Sequence, residues 1–109
     1  MEKFNEFDIE VSNKLLGLRN SAKSRGIEFD LSFAKVKRLL SAKVCYFSGV
    51  KLTRIEGDDN QLSIDRVDNT RGYVDDNVVA CARRLNRRKG DLTIDEIIML
   101  YKKCVKHRK

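Results

Sequence analysis

Leu62-Ser63-Ile64-Asp65-Arg66-Val67-Asp68-Asn69, with Gly72-Tyr73 and Asp76-Asn77-Val78-Val79 close behind, is the stretch on which the fold turns. Leu62 and Ile64 alternate with Ser63 and Asp65, the period of two that marks a half-buried strand. Asp68-Asn69-Thr70-Arg71-Gly72-Tyr73 then has turn composition. Beyond it, Asp75 or Asp76 is suited to cap a helix from about Asn77 to Lys89, in which Val78, Cys81, Ala82 and Leu85 share one face. Gly90 stops that helix.

Working outward, Val44-Cys45-Tyr46-Phe47 is a short apolar run ending in a Ser48-Gly49 turn, and the polar stretch from Glu56 to Asn60 separates it from the strand. Both runs predict short strands joined by loops. Before Lys43 the period changes. Phe4, Phe7, Val11, Leu15 and Leu18 recur at spacings of three and four, which predicts a helix that Gly26 ends. Asp30 can cap a second, with Leu31, Phe33, Ala34, Val36, Leu39 and Leu40 on one face. At the other end, Thr93 and Glu96 form a capping box for a last helix whose Ile94, Ile97, Ile98, Leu100, Tyr101 and Cys104 are expected to bury a stripe. Lys106 to Lys109 form a basic tail expected to fray. The fold class is therefore α+β in a single domain, 1–109, with a helical scaffold over 1–42, a strand, turn and helix motif over 43–91, and a C-terminal helix and tail over 92–109.

The net charge of +7 favours a polyanionic partner, because a basic surface concentrates phosphate backbones. Arg83, Arg84, Arg87, Arg88 and Lys89 put five cations into seven residues, either as a phosphate-binding cluster or as a solvated helix end favoured by the macrodipole. Tyr46 and Tyr73 could stack on bases or pack in core and turn. Cys45, Cys81 and Cys104 contain no C-x-x-C pair, so neither a disulfide framework nor a four-thiolate zinc site is indicated; buried small hydrophobes are expected. No apolar run reaches the ~20 residues of a membrane span, and Met-Glu-Lys-Phe-Asn-Glu lacks the features of a secretory signal. A cytoplasmic protein with no membrane partner is expected.

Cys45-Tyr46-Phe47-Ser48-Gly49, Leu62 to Asn69, Gly72-Tyr73, Asp76 to Val79 and Asn86-Arg87-Arg88-Lys89-Gly90-Asp91, in that order, resemble the HNH (ββα-metal) endonuclease family, particularly its small phage-type members. The resemblance implies N-terminal helices packed on a ββα motif and a metal-dependent DNA endonuclease or nickase, in the host cytoplasm if phage-encoded. Asp65 and Asn86 match the family's metal-binding positions, and hard oxygen donors suit Mg2+ or Mn2+. Asn77 matches the middle residue of the motif, a brace for the loop more than a ligand. Arg66 stands where most members carry the histidine that activates water, and arginine stays protonated and cannot take that proton.

Three readings of the site follow. Asp68 could be the base, since Asp65-Arg66-Val67-Asp68 resembles the Asp-Arg-Gly-His motif of related non-specific nucleases; a carboxylate is a weak base, so activity would be slow. Arg66 could clamp the phosphate while the ion alone activates water. Or the domain is catalytically inactive and binds nucleic acid or a host protein. Many family members brace the fold with four zinc-binding cysteines; here Ser48 and Leu85 stand at two of those places and Cys81 is one residue out of register, so no structural zinc is expected. The expected partner is double-stranded DNA, bound with low sequence specificity.

Overall fold

A computed structural model describes residues 5–108. Its elements run α1 (Glu6–Ser24), β1 (Phe29–Asp30), α2 (Phe33–Leu40), β2 (Leu62–Arg66), β3 (Tyr73–Val74), a 3-10 turn (Asp75–Asn77), β4 (Val78–Ala82), α3 (Arg83–Lys89) and α4 (Ile94–His107). The chain is α+β. Phe4 and Lys109, assigned to the first helix and the tail, lie outside the described residues.

The N-terminal helices form where expected, with sharper ends. Asn5 and Asp8 make a capping box at the start of α1, and Gly26, at φ 66°, turns the chain just past its end. Asp8 is buried and accepts a 2.9 Å bond from Lys37 Nζ on α2, which ties the two helices together. The cap of α2 is Ser32, not Asp30: the Ser32 hydroxyl accepts from Lys35 N, while Asp30 belongs to β1. Ser32 is held in turn by Asp75, which accepts from its amide and its hydroxyl.

The centre of the molecule is the antiparallel pair β2 and β4, with Ile64 opposite Ala80 and Asp65 opposite Val79. This corrects the expected helix from about Asn77 to Lys89. Residues 75–77 make only one 3-10 turn, 78–82 are a strand, and the helix occupies 83–89 alone. The physical reason lies across the hairpin. Val78, Ala80 and Ala82 alternate as well as Val78, Cys81, Ala82 and Leu85 recur helically, and pairing with β2 decides in favour of the strand. The 44–47 run is also no strand. It forms a turn closed by Gly49 N to Cys45 O at 2.9 Å, with a single bridge between Val44 and Lys51.

Each face of the hairpin has its own layer. Ile64, Val78 and Ala80 join Val11, Val36 and Leu39 in the main core against α1 and α2. Two strand residues reach back to the helical half through β1, which pairs with β3 in parallel. That junction requires Gly72, because a Cβ there would lie 2.4 Å from the carbonyl oxygen of Glu28. The opposite face, carrying Ser63 and Asp65, meets α3.

The last helix forms with its Thr93 and Glu96 capping box and stays helical through His107, beyond the expected start of the frayed tail. Its apolar stripe is not buried. No residue of α4 is buried, and Cys104 is exposed, unlike Cys45 and Cys81. No helix among the described residues is long and apolar enough to cross a membrane.

Candidate metal and nucleic-acid site

Strand and helix periods together decide what meets what between the hairpin and α3. Ser63 and Asp65, two apart on β2, point to the same face; Asn86 and Lys89, three apart on α3, share a helix face. They meet as two rungs. Asn86 Nδ2 donates to Ser63 Oγ at 2.7 Å, and Lys89 Nζ lies 3.2 Å from Asp65 Oδ2. Asn86 Oδ1 accepts no hydrogen bond among the described residues.

The Asp65 and Lys89 rung is buried, with side chains only 9% and 8% exposed. Lys89 directs its well-aligned hydrogen bond to the carbonyl oxygen of Arg66, at 2.9 Å, so Asp65 Oδ2 is a buried oxygen with a charge beside it but no hydrogen bond. Burial pushes the Asp65 carboxyl above its ordinary value, and the Lys89 ammonium opposes that shift without cancelling it. Lys89 thus departs from its expected role in the phosphate-binding cluster: it is an inward-facing counter-ion.

Arg66 turns away from this rung. Its Nη1 donates to the carbonyl oxygens of Asn69, at 3.1 Å, and Arg71, at 2.7 Å, and its guanidinium carbon lies 5.3 Å from the centre of the Tyr73 ring. All three partners belong to the loop between the strands or the residue that closes it. Tyr73 is buried in the core, with its hydroxyl accepting from Arg25, whereas Tyr46 is exposed and packs edge-on against Phe47.

Asp68 sits at the start of that loop. Its Oδ1 accepts from the Thr70 hydroxyl at 2.6 Å and the Thr70 amide at 2.9 Å. The hydroxyl, then the amide, holds its carboxyl below the usual carboxylate range. Asn77, almost wholly buried, closes the loop from inside: Oδ1 accepts from Asp68 N, and Nδ2 donates to the carbonyl oxygens of Asp68 and Gly72. Asn69 ties the loop to the end of α3 by donating to the carbonyl oxygens of Gly90 and Leu92. Sequence reasoning did not single out Ser63 or Asn69. The alternation of Ser63 with Ile64 was the available signal for the first, and a turn asparagine carries none for its distant acceptors.

The four arginines of α3 differ in engagement. Arg84 and Arg87 lie 3.4 Å and 3.9 Å from Asp59, both exposed, and Arg83 donates to the carbonyl oxygen of Gly57. Arg88 makes no ion pair among the described residues, and pairs as exposed as those of Arg84 and Arg87 contribute little and yield readily to phosphate.

Cys45, Cys81 and Leu85 lie together in a second, smaller core. Cys45 and Cys81 are buried with Ala82, against Leu52 and Leu85. Burial raises the Cys45 thiol, but the Ser48 hydroxyl and the amides of Ser48, Ala82 and Phe47 outweigh it and hold the thiol below its ordinary value. Burial, then the nearby Asp65, pushes Cys81 up to about 12.

No protein-family profile and no solved structure matches the chain. An uncharacterized 29.0 kDa protein from the dda-modA intergenic region of Enterobacteria phage T4 is 38% identical over 90 residues, which is 82% of this chain and 36% of that protein. An uncharacterized protein of Acanthamoeba polyphaga mimivirus is 30% identical over 95 residues, 87% of this chain and 16% of the other. The chain therefore spans only about a third of the first relative's length, and less of the second.

Proposed function

We propose that this domain is a metal-dependent DNA endonuclease or nickase of HNH-like design that hydrolyses phosphodiester bonds. The observation that carries the reading is the buried Asp65 Oδ2, without a hydrogen bond, on a hairpin strand that faces the helix carrying Asn86. A buried carboxylate oxygen is costly unless a cation stands beside it; Lys89 Nζ does so at 3.2 Å, and a divalent ion would have to share or displace that ammonium. Asp65 Oδ2 and Asn86 Oδ1 are hard donors of the kind Mg2+ or Mn2+ takes, but among the described residues no group of three or more His, Cys, Asp or Glu side chains gathers there, so these two would hold the ion with solvent and phosphate completing its shell. Held by Asp65 and Asn86, such an ion would supply the charge that polarises a phosphate and stabilises a leaving oxygen.

The remaining roles belong to the chain's own side chains. Arg83, Arg84, Arg87 and Arg88 hold the phosphate backbone, and Asn77 keeps the loop beside Asp65 in shape. Arg66 cannot accept a proton and its guanidinium is engaged with the loop, so its part is to brace that loop more than to clamp a phosphate. Asp68 is a poor base because Thr70 stabilises its anion. Slow cleavage is the expected consequence. A second reading, a nucleic-acid-binding module that does not cut, is favoured by one observation: Lys89 already supplies a cation to Asp65.

Supercoiled plasmid incubated with Mg2+, Mn2+ or EDTA separates the two. Metal-dependent nicking by the wild type, lost in Asp65→Ala and Asn86→Ala, supports the nuclease; Arg66→His should raise the rate if the loop that Arg66 braces stays intact and the imidazole turns to the Asp65 rung, and Asp68→Asn should stop it only if Asp68 is the base. Equal nicking by wild type and Asp65→Ala, or none with any metal, overturns it. In both readings DNA affinity falls with salt, by about −0.9 in the log–log slope per phosphate neutralised.

A further inference from the structure

A helix with no buried residue and many apolar ones is incomplete as it stands, and α4 is such a helix. At about 100° per residue its apolar side chains fall into two separate stripes. Ile97 and Leu100 face the body, where with Leu92 they line a cavity against Phe47, Leu85 and Arg88. Ile94, Ile98, Tyr101 and Val105 form the second stripe, roughly a quarter-turn away. All four are exposed, Tyr101 by 67%.

The second stripe has the spacing four, three, four, which is the seam of a coiled coil and not the broader face of a helix that lies on a core. Charges flank it in a directional way. Asp95 lies beside the seam near the N-terminus and Lys102, seven residues on, lies beside it on the same edge. Two copies of α4 set antiparallel would place Ile94 against Val105 and Ile98 against Tyr101, and would bring Asp95 of each copy to Lys102 of the other. A parallel pair would leave both edges without an opposite charge. The macrodipoles also favour the antiparallel arrangement, each acidic first turn meeting a basic last turn that contains Lys106 and His107.

We propose that α4 is a self-association element through which two copies of this chain pair antiparallel along Ile94, Ile98, Tyr101 and Val105. The inference is independent of the catalytic reading, since none of these residues belongs to the Asp65 site. The pairing is symmetric and self-complementary, so it closes at two copies and does not propagate. Its short seam makes the dimer dependent on concentration. The capping box offsets part of the ordering cost by holding the helix in shape before the partner arrives.

Sedimentation equilibrium on the full chain tests this. The average mass of the wild type should rise with concentration from 12.6 kDa toward twice that value, and Ile98→Lys, a change at an exposed position, should hold it at 12.6 kDa with unchanged helicity by circular dichroism. Lys102→Glu alone should weaken pairing at least several-fold by facing Asp95 with a like charge, and adding Asp95→Lys should restore it. A wild type that stays monomeric at every concentration overturns the proposal. So does a dimer that neither Ile98→Lys nor Lys102→Glu disturbs, or one that the double charge exchange does not recover.

Discussion

Replacing Asn77 by alanine should destabilise the domain strongly while leaving it folded in the absence of denaturant. The side chain is 1% exposed and commits both donors and one lone pair to the loop: one acceptor bond from Asp68 N at 3.0 Å, and donor bonds to Asp68 O at 3.1 Å and Gly72 O at 2.9 Å. Each such bond contributes about 1 kcal/mol net, and a group left buried without a partner costs a further 1–3 kcal/mol or so. The carbonyl oxygens of Asp68 and Gly72 keep their bonds from Arg71 N and Val74 N, so the loss is three bonds plus the part-buried Asp68 amide left without its acceptor, about 4 kcal/mol, against the roughly 5–15 kcal/mol that holds a domain of this kind together. In urea, where small domains lose about 1–3 kcal/mol per molar, the midpoint should fall by about 2 M. Asn77→Asp is the sharper variant. It keeps the acceptor but sets a carboxylate oxygen against two carbonyls, so it should be the less stable of the two at pH 7 and recover toward pH 4, where a protonated carboxyl can donate again. A midpoint for Asn77→Ala within about 0.3 M of wild type would refute the reasoning, because those bonds would then not hold the loop.

Two further outcomes rest on charge. Lys89→Met should cost about 3 kcal/mol or more at pH 8 by leaving the buried Asp65 carboxylate without its counter-ion. Burial raises the folded pKa of Asp65, so the protonated form favours the folded state, and the gap between variant and wild type in urea midpoint should close as pH falls; a gap independent of pH would show that Lys89 acts by packing alone. Acid stability of the wild type is governed by the opposite sign. Lys37 foremost lowers Asp8, Thr70 lowers Asp68 and the Ser32 amide lowers Asp75, so their stabilisation is present above the ordinary carboxylate value of 3.8 and is lost as pH falls through their lower folded values. The urea midpoint should therefore drop between pH 5 and about pH 2, and a flat profile would count against these bonds.

Helix positions were legible because their signals are local. The α1 stripe, the Thr93 and Glu96 capping box and the stop at Gly90 each lie within a few residues of what they specify. The strand at 78–82 was not legible, for a reason visible in its own residues. Val78, Cys81, Ala82 and Leu85 satisfy a helical period, Val78, Ala80 and Ala82 satisfy a strand period, and the Asp pair suited to a helix cap lies inside a 3-10 turn and makes no capping bond. The deciding term is the ladder with β2, which depends on residues a dozen or more positions away.

Lys89 shows the same limit at the site itself. In the sequence it is one of five cations near Asn86, and nothing local separates it from Arg88. Its burial follows from three facts taken together. β2 exposes Ser63 and Asp65 on one face, α3 starts directly after β4, and three residues of helix carry the Asn86 rung to the next one. Given that register, the residue opposite Asp65 has to neutralise a buried carboxylate, and lysine has the reach to do so while its Nζ also satisfies Arg66 O. The cation cluster therefore divides by position: Arg84 and Arg87 stand exposed beside Asp59 and Arg83 donates to Gly57 O, whereas the one lysine turns inward as the counter-ion of a buried carboxylate.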